Sequence, residues 1–362
     1  MNIDIDKIVR LLSEFDAINS ISGYEKPVAA CLSEKMNGIT DEQYTDTLGN
    51  CVCLRRGNES GKKIMISAHM DEIGFLVCDI TSEGYVTMLP VGMHNPAMVV
   101  NQTFSIHTRN NGTIYGVLAG GKPVHYAKEQ NTNTSIGDLR IDVGCTCPEE
   151  VRLLGIRVGD PMNIEKQSRM LGKYVFSGKA VDNRSGIVAM ILAMELLRGE
   201  KLHSSIYCCG TVQEEIGIKG ARVLSRQIQP DIALAIDVGF AVEKDDVNPN
   251  STRCYMGKGA SIQMYDWNPS TFLGNIVPKL ISDALVDAAK KAGVMYQEHV
   301  NLNGGTDAAE ISLSNRGVLT GGISIPERYI HTTVGTVDVR DVGSAAEMLA
   351  QFIRDMDNGD ST

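Results

Sequence analysis

Two adjacent carboxylates, Glu214 and Glu215, follow the β-forming run SIYCCGT at 205–211 and are themselves followed by Gly217. A buried strand that empties into paired acids is an uncommon way to build packing, because Glu is rarely buried without a partner. Neighbouring side chains that leave a strand end point in different directions, so the pair can hold two roles, one on a metal ion and one on a water. The same pattern recurs along the chain. IMISA at 64–68 ends in His69, Met70 and Asp71, and IALAI at 232–236 ends in Asp237. Asp182 stands just ahead of an apolar helical stretch, and His331 follows Arg328, Tyr329 and Ile330 in a late turn. Two imidazoles with several carboxylates and no thiolate suit Zn, Co or Mn and not a sulfur-bound structural zinc. One ion cannot use them all, whereas two ions that share a bridging carboxylate can. Singly, each residue has a plainer reading: a hydrogen-bonded structural histidine, a helix N-cap at Asp182, a solvated turn at Glu214 and Glu215. The joint pattern is what carries the chemistry.

Such a set needs a scaffold that ends several strands on one edge. Apolar spacing predicts helices over 6–15 and 26–36, a strand within 43–55, and a short buried strand over 64–68 that stops at His69. From 74 to about 163 the texture changes to short strands broken by Gly, Asn and Pro, with one short helical candidate at 148–153, which reads as a separate β-rich domain. Helical texture returns with an apolar helix over 187–197, then the Glu214 strand, a helix over 220–226 and the strand 232–236. A helix over 275–292 with Pro278 near its start, a Gly-Gly-Thr-Asp turn at 304–307 opening another helix, a strand at 322–324 and a helix over 344–356 complete the pattern. Trp267 falls in an expected loop at 265–270. Strands alternating with helices imply an α/β three-layer sandwich around a mostly parallel central sheet, plus the inserted small β-rich domain. The expected division is 1–73 and 166–362 for the main domain, with 74–165 inserted. Open α/β sheets place their sites beyond the carboxyl ends of the strands, which is where His69, Glu214, Glu215 and Asp237 stand.

Composition narrows the function classes. The chain has 362 residues, 43% hydrophobic and 22% charged, as expected of a globular enzyme. No apolar run reaches the ~20 residues that span a bilayer, and the acidic, amphipathic N-terminus does not resemble a signal segment. A net charge of −10 argues against nucleic acid or an anionic membrane as partner. The nine scattered cysteines give no disulfide framework, and the expected compartment is the cytoplasm. Cys51 with Cys53 and Cys145 with Cys147 lack the spacing of a zinc knuckle and read as packing. No G-x-S-x-G elbow supports a serine hydrolase.

Five segments, AHMDEIGF at 68–75, KAVDNR at 179–184, VQEEIG at 212–217, AID at 235–237 and RYIH at 328–331, resemble in order and spacing those of the M42 family of di-metal aminopeptidases, which includes glutamyl aminopeptidases and the tetrahedral TET peptidases. The resemblance spans essentially the whole chain. It implies a zinc-peptidase-like fold with an inserted PDZ-like or barrel domain for oligomerisation, and two divalent metal ions per chain, Zn or Co with Mn as an option. It further implies that Asp182 bridges the ions, that His69 and Asp237 complete one site and Glu215 and His331 the other, that Glu214 is the general base, and that Asp71 orients His69. The implied partners are peptides with a free N-terminus and further copies of the chain, from dimer to dodecamer. Two departures stand out: Thr332-Thr333-Val334-Gly335 replaces the usual Ser-Pro and acidic residue after His331, and Gly257-Lys258-Gly259-Ala260 lacks the usual proline. Both spare every implied ligand. Competing readings are a di-metal deacylase of N-acyl amino acids, a glycosidase, which needs two carboxylates ~5–9.5 Å apart across one bond, and an inactive assembly protein.

Overall fold

The computed structural model describes residues 3–118, 135–242, 252–302 and 304–359. The chain opens with α1 (Ile5–Asp16), α2 (Lys26–Met36), β1 (Glu42–Thr45), β2 (Cys51–Arg55) and β3 (Lys63–His69). The next stretch holds β4 (Gly74–Ile80), β5 (Tyr85–Val91), α3 (Pro96–Val99), β6 (Gln102–His107), β7 (Thr113–Leu118), β8 (Ile141–Asp142), α4 (Pro148–Leu153) and β9 (Pro161–Ile164). Then come β10 (Arg169–Leu171), β11 (Val175–Gly178), α5 (Val181–Leu196), β12 (Ser205–Thr211), α6 (Lys219–Ile228), β13 (Ile232–Phe240), β14 (Ala260–Asn268) and β15 (Leu273–Ile276). The chain closes with α7 (Lys279–Ala292), β16 (Tyr296–Leu302), α8 (Asp307–Ser312), β17 (Leu319–Arg328), β18 (Gly335–Asp338) and α9 (Val339–Asn358).

Alternation along the central strands decides the layering. Ile64, Ile66 and Ala68 of β3 face one core with Ile232, Leu234 and Ile236 of β13, while Met65 and Ala233 face the other. The larger core lies under α1, α2, α5, α7 and α9; the smaller lies under α6 and α8. The main sheet runs β1-β2-β12-β3-β13-β17-β18-β11-β10, with β14 to β16 branching from β17. Its middle, β12-β3-β13-β17, is parallel, and the flanking pairings are antiparallel. Helix α5 is buried around nearly its whole circumference, as its lack of a polar stripe requires.

Strands β4-β5-β8-β7-β6-β9 close into a separate barrel with its own core. Phe75 and Phe104 meet edge to face there, with ring centroids 5.6 Å apart. Closure removes the free edges that six short strands would otherwise expose. No helix among the described residues is long and apolar enough to cross a membrane.

Two local expectations are corrected. Trp267 lies within β14, not in a loop, and stacks edge to face on Phe272. Helix α7 starts at Lys279 because Pro278 is its N-cap, and Asn275 and Ile276, expected in its first turn, belong to β15; proline suits a helix start and not its interior.

Candidate active site

The parallel strands deliver their polar ends to one place. His69 ends β3, Asp237 lies in β13, and Glu214 and Glu215 sit in the turn after β12. Asp182 precedes the regular part of α5: it and Asn183 carry non-helical dihedrals (φ −78°, ψ 105° and φ −122°, ψ 40°). His331 stands in the turn between β17 and β18 with φ +57°, and Tyr329 has φ +63°. Left-handed backbone is uncommon for such side chains and costs about 1–3 kcal/mol each, so the turn is held by its surroundings. Thr332 Oγ1 donates to Tyr329 O at 2.7 Å and accepts from Val334 N at 3.2 Å, which closes the turn that presents His331. The departure from Ser-Pro therefore retains a hydroxyl that organises the loop.

Asp182 is the shared point. Its Oδ1 is 3.0 Å from His69 Nε2 and its Oδ2 is 3.3 Å from His331 Nε2. His69 Nε2 is also 3.6 Å from Asp237 Oδ1, and His331 Nε2 is 3.2 Å from Glu215 Oε2. His69, Asp182 and Asp237 thus form one group of donors, and Asp182, Glu215 and His331 a second. Donors bound ~2.0–2.1 Å from a tetrahedral ion stand ~3.3 Å apart, and the four separations bracket that value. In each set one imidazole nitrogen and oxygens of two carboxylates converge, so both donor sets fit divalent cations.

The same carboxylates also favour a proton on each imidazole. Burial works to lower the His69 pKa, yet Asp237, Asp182 and Asp71 together hold it well above its ordinary value. Burial opposes His331 in the same way, and Glu215 and Asp182 overcome it. Burial pushes Glu214 well above the usual carboxylate range; the His69 charge opposes this, while Asp237 and Glu215 add to it. Glu214 belongs to neither donor group but lines the same cavity.

Around these groups lies a frame of buried hydrogen bonds. The Asp71 carboxylate accepts from the backbone of Glu214 and of Glu215, each at 3.1 Å, and from Ser22 Oγ at 2.6 Å. His69 Nδ1 is 3.0 Å from Asp71 O and 3.6 Å from Asp71 Oδ1, so Asp71 positions the imidazole and the two glutamates together. Asn183 Nδ2 donates to Ile236 O at 2.8 Å, which ties the start of α5 to the residue before Asp237. Arg184, fully buried, donates to Met70 O and to Phe15 O, and it lies 3.6 Å from Glu72, whose carboxylate also pairs with Lys179 at 2.6 Å. Consecutive residues 182–184 therefore face three ways: toward the donors, toward β13 and toward the chain after β3.

The model of the M42 glutamyl aminopeptidase family matches residues 49–348. The chain belongs to the M42 family. A lysyl aminopeptidase of Pyrococcus furiosus is 33% identical over 348 residues, covering 94% of this chain and 95% of that protein. The solved aminopeptidase of the archaeon Desulfurococcus kamchatkensis superposes with a TM-score of 0.90 at 36% identity, covering 96% of this chain and 95% of that one. The TET1 peptidase of Pyrococcus horikoshii, which can assemble into a tetrahedron or a large octahedral shell, superposes with a TM-score of 0.85 at 27% identity, covering 96% and 99%. This M42 chain is accordingly an enzyme, a hydrolase of the aminopeptidase type with a zinc-peptidase-like fold.

Several supports of the M42 site had no sequence signal that assigned them a task. Glu25, 4% exposed, accepts from Gln213 N at 3.0 Å, and Asn50 Oδ1 accepts from Val212 N at 3.0 Å. Glu327 is buried beside the donor groups with Oε2 unpartnered, and Gly335 leaves the space its Oε1 fills: a Cβ there would stand 2.2 Å from it. At the second departure, Gly257 N and Gly259 N donate to Asp341 of α9 at 2.6 and 2.8 Å.

Gly220 gives a direct test of how α6 seats the glutamate turn. A Cβ there would lie 2.5 Å from both Val212 N and Val212 O. Gly220→Ala is expected to cost about 1–3 kcal/mol in urea unfolding and to lower kcat, because the backbone two residues before Glu214 must shift. Wild-type stability with wild-type kcat would refute that account.

Proposed function

We propose that the protein removes N-terminal residues from peptides at a co-catalytic centre of two divalent cations, Zn or Co with Mn as an alternative. The observation that carries this reading is the division of Asp182: one carboxylate oxygen toward His69 and Asp237, the other toward His331 and Glu215. In this reading Asp182 bridges, His69 and Asp237 complete one site, and Glu215 and His331 complete the other. Cations held there would supply Lewis acidity toward a water nucleophile and the scissile carbonyl. Glu214 takes the proton from the attacking water and returns it to the leaving amine. Asp71 fixes the His69 ring and, through the two backbone amides, the direction of both glutamates. A free α-amino group would bind one cation or a nearby carboxylate, which would limit cleavage to the first residue.

The segment 74–165 is proposed as an oligomerisation domain inserted between catalytic segments 1–73 and 166–362. This is supported by the assembly of the TET1 relative and by exposed apolar side chains on the barrel, among them Leu89, Tyr115 and Val117.

Aminoacyl anilides with a free amine, compared with N-acetyl amino acids, test the reading. Turnover of the anilides alone is expected; it should vanish on chelation and return with Zn or Co. Preference for N-acetyl substrates would turn the reading to a deacylase, and activity that survives complete chelation would defeat the two-cation mechanism.

A further inference from the structure

The cavity that holds the donor groups, about 600 Å³ in volume, extends beyond them to a lip made by the β14–β15 hairpin. Strand alternation sets which side chains of the hairpin turn inward. Asn268, Thr271 and Leu273 line the cavity, whereas neighbouring Trp267 and Phe272 stack on each other. The end of β13 adds Val238 and Phe240, and Phe240 is 42% exposed.

Ile218 joins this apolar surface to Glu214. It lines the same cavity, belongs to the core cluster against which Leu273 packs, and donates its backbone N–H to Glu214 O at 3.0 Å. It is also out of character for its position. As the N-cap of α6 it stands where Ser, Thr, Asp or Asn would complete a free amide, yet it makes no side-chain cap, and its φ of +55° is one that a β-branched residue rarely adopts. An apolar side chain held there against both preferences has a task that its own helix does not supply.

The polar part of the wall offers a substrate little by comparison. Gln263, His299, Asn301 and Thr306 each keep at most 5% of their surface. Asp266 is buried behind Thr306, its carboxylate accepting from Asn275 N at 2.9 Å and from Thr306 Oγ1 at 3.5 Å. Beyond the donors, Glu214 and His299, no ionisable side chain among the described residues lines the cavity. Burial lowers the His299 pKa to about 4, so that ring is neutral at neutral pH. A charged side chain at the lip would lose water without gaining a partner of opposite charge. An apolar one would instead cover Leu273 and Phe240 and remove their surface from water.

We propose that the apolar surface of Leu273, Phe240 and Ile218 receives the side chain of the substrate's first residue and selects apolar side chains, leucine foremost, over acidic and basic ones, with Leu273 as the specificity-determining residue. The inference rests on the aminopeptidase reading above. The carbonyl to be cleaved belongs to the first residue and must sit beside Glu214, so the side chain on that residue is the one nearest the Ile218 surface.

The test uses the metal-loaded enzyme and tetrapeptides X-Ala-Ala-Ala with X as Leu, Ala, Glu or Lys. We expect kcat/KM for Leu to exceed that for each of the other three by about tenfold or more. Leu273→Ala should cut the ratio of Leu to Ala by about fourfold or more, the worth of one buried methylene, and Leu273→Lys should raise Glu relative to Leu by a similar factor. Each ratio is internal to one protein sample, so a variant that folds only in part still reports it. Ala, Glu or Lys at or above Leu in the wild type would overturn the proposal, as would unchanged ratios in both variants. If none of the four peptides is cut while N-acetyl amino acids are, the aminopeptidase reading itself has failed. Cleavage of the peptides in another order defeats only the pocket assignment.

Discussion

Glu214→Gln is expected to keep both cations and lose nearly all turnover, a fall in kcat of at least ~10²–10⁴-fold. The substitution is close to isosteric, and Glu214 stands in neither donor group, so the donor sets are untouched. What disappears is an acceptor for the water proton, because a carboxamide oxygen is far too weak a base. The neighbouring change separates the two glutamates: Glu215→Gln removes a charged donor 3.2 Å from His331 Nε2, and it should show reduced occupancy of one site. Metal content by elemental analysis and kcat under saturating metal check both together. Near-normal kcat in Glu214→Gln, or the metal loss appearing there and not in Glu215→Gln, would show that the two roles are exchanged. The backbone explains why adjacent residues can differ this much. Both amides are tied to one carboxylate, Asp71, so the turn is fixed and the two side chains leave it in different directions.

The site residues were legible because each stands at a discontinuity that a sequence displays. IMISA before His69 and IALAI before Asp237 are buried strands that stop in polar residues, and burial without a nearby partner is costly enough to mark them. The frame behind them was not legible. Arg184 reaches Phe15 O across 169 residues and Met70 O across 114. Asp71 reaches Glu214 N across 143. Nothing in the local pattern of Asn183 or Arg184 says which strand it will meet, since those contacts exist only once the sheet has formed. The central strands were readable because both faces are buried and their runs are apolar throughout. The branch β14 to β16 was not, because ASIQMYDWN at 260–268 and YQEHVNL at 296–302 mix polar residues into both faces. That mixture is now explained: Gln263, His299 and Asn301 line a cavity.

Asp182→Ala is expected to lose both cations, not one. Each donor group keeps only two protein donors once Asp182 is gone: His69 and Asp237 on one side, Glu215 and His331 on the other. Two donors fall short of the three that a catalytic ion ordinarily has from protein. In the metal-free chain burial works to raise the Asp182 pKa, yet His331 and His69 hold it well below the ordinary value, so the carboxylate is stabilised there and its loss should make the metal-free chain unfold somewhat earlier than wild type. The larger difference belongs in the metal-loaded protein, where binding stabilises by about 4 kcal/mol when free metal is 1,000 times Kd. Wild type should therefore gain a higher Tm on addition of Zn while Asp182→Ala gains almost none. Asp182→Asn refines the point, because a carboxamide offers one oxygen and can complete only one group; its content should not exceed one ion per chain. Two ions per chain in Asp182→Ala would refute the bridge outright. Two in Asp182→Asn would mean that a single oxygen serves both ions, and the division of Oδ1 and Oδ2 between His69 and His331 would then reflect hydrogen bonding to protonated imidazoles and not the geometry of two cation sites.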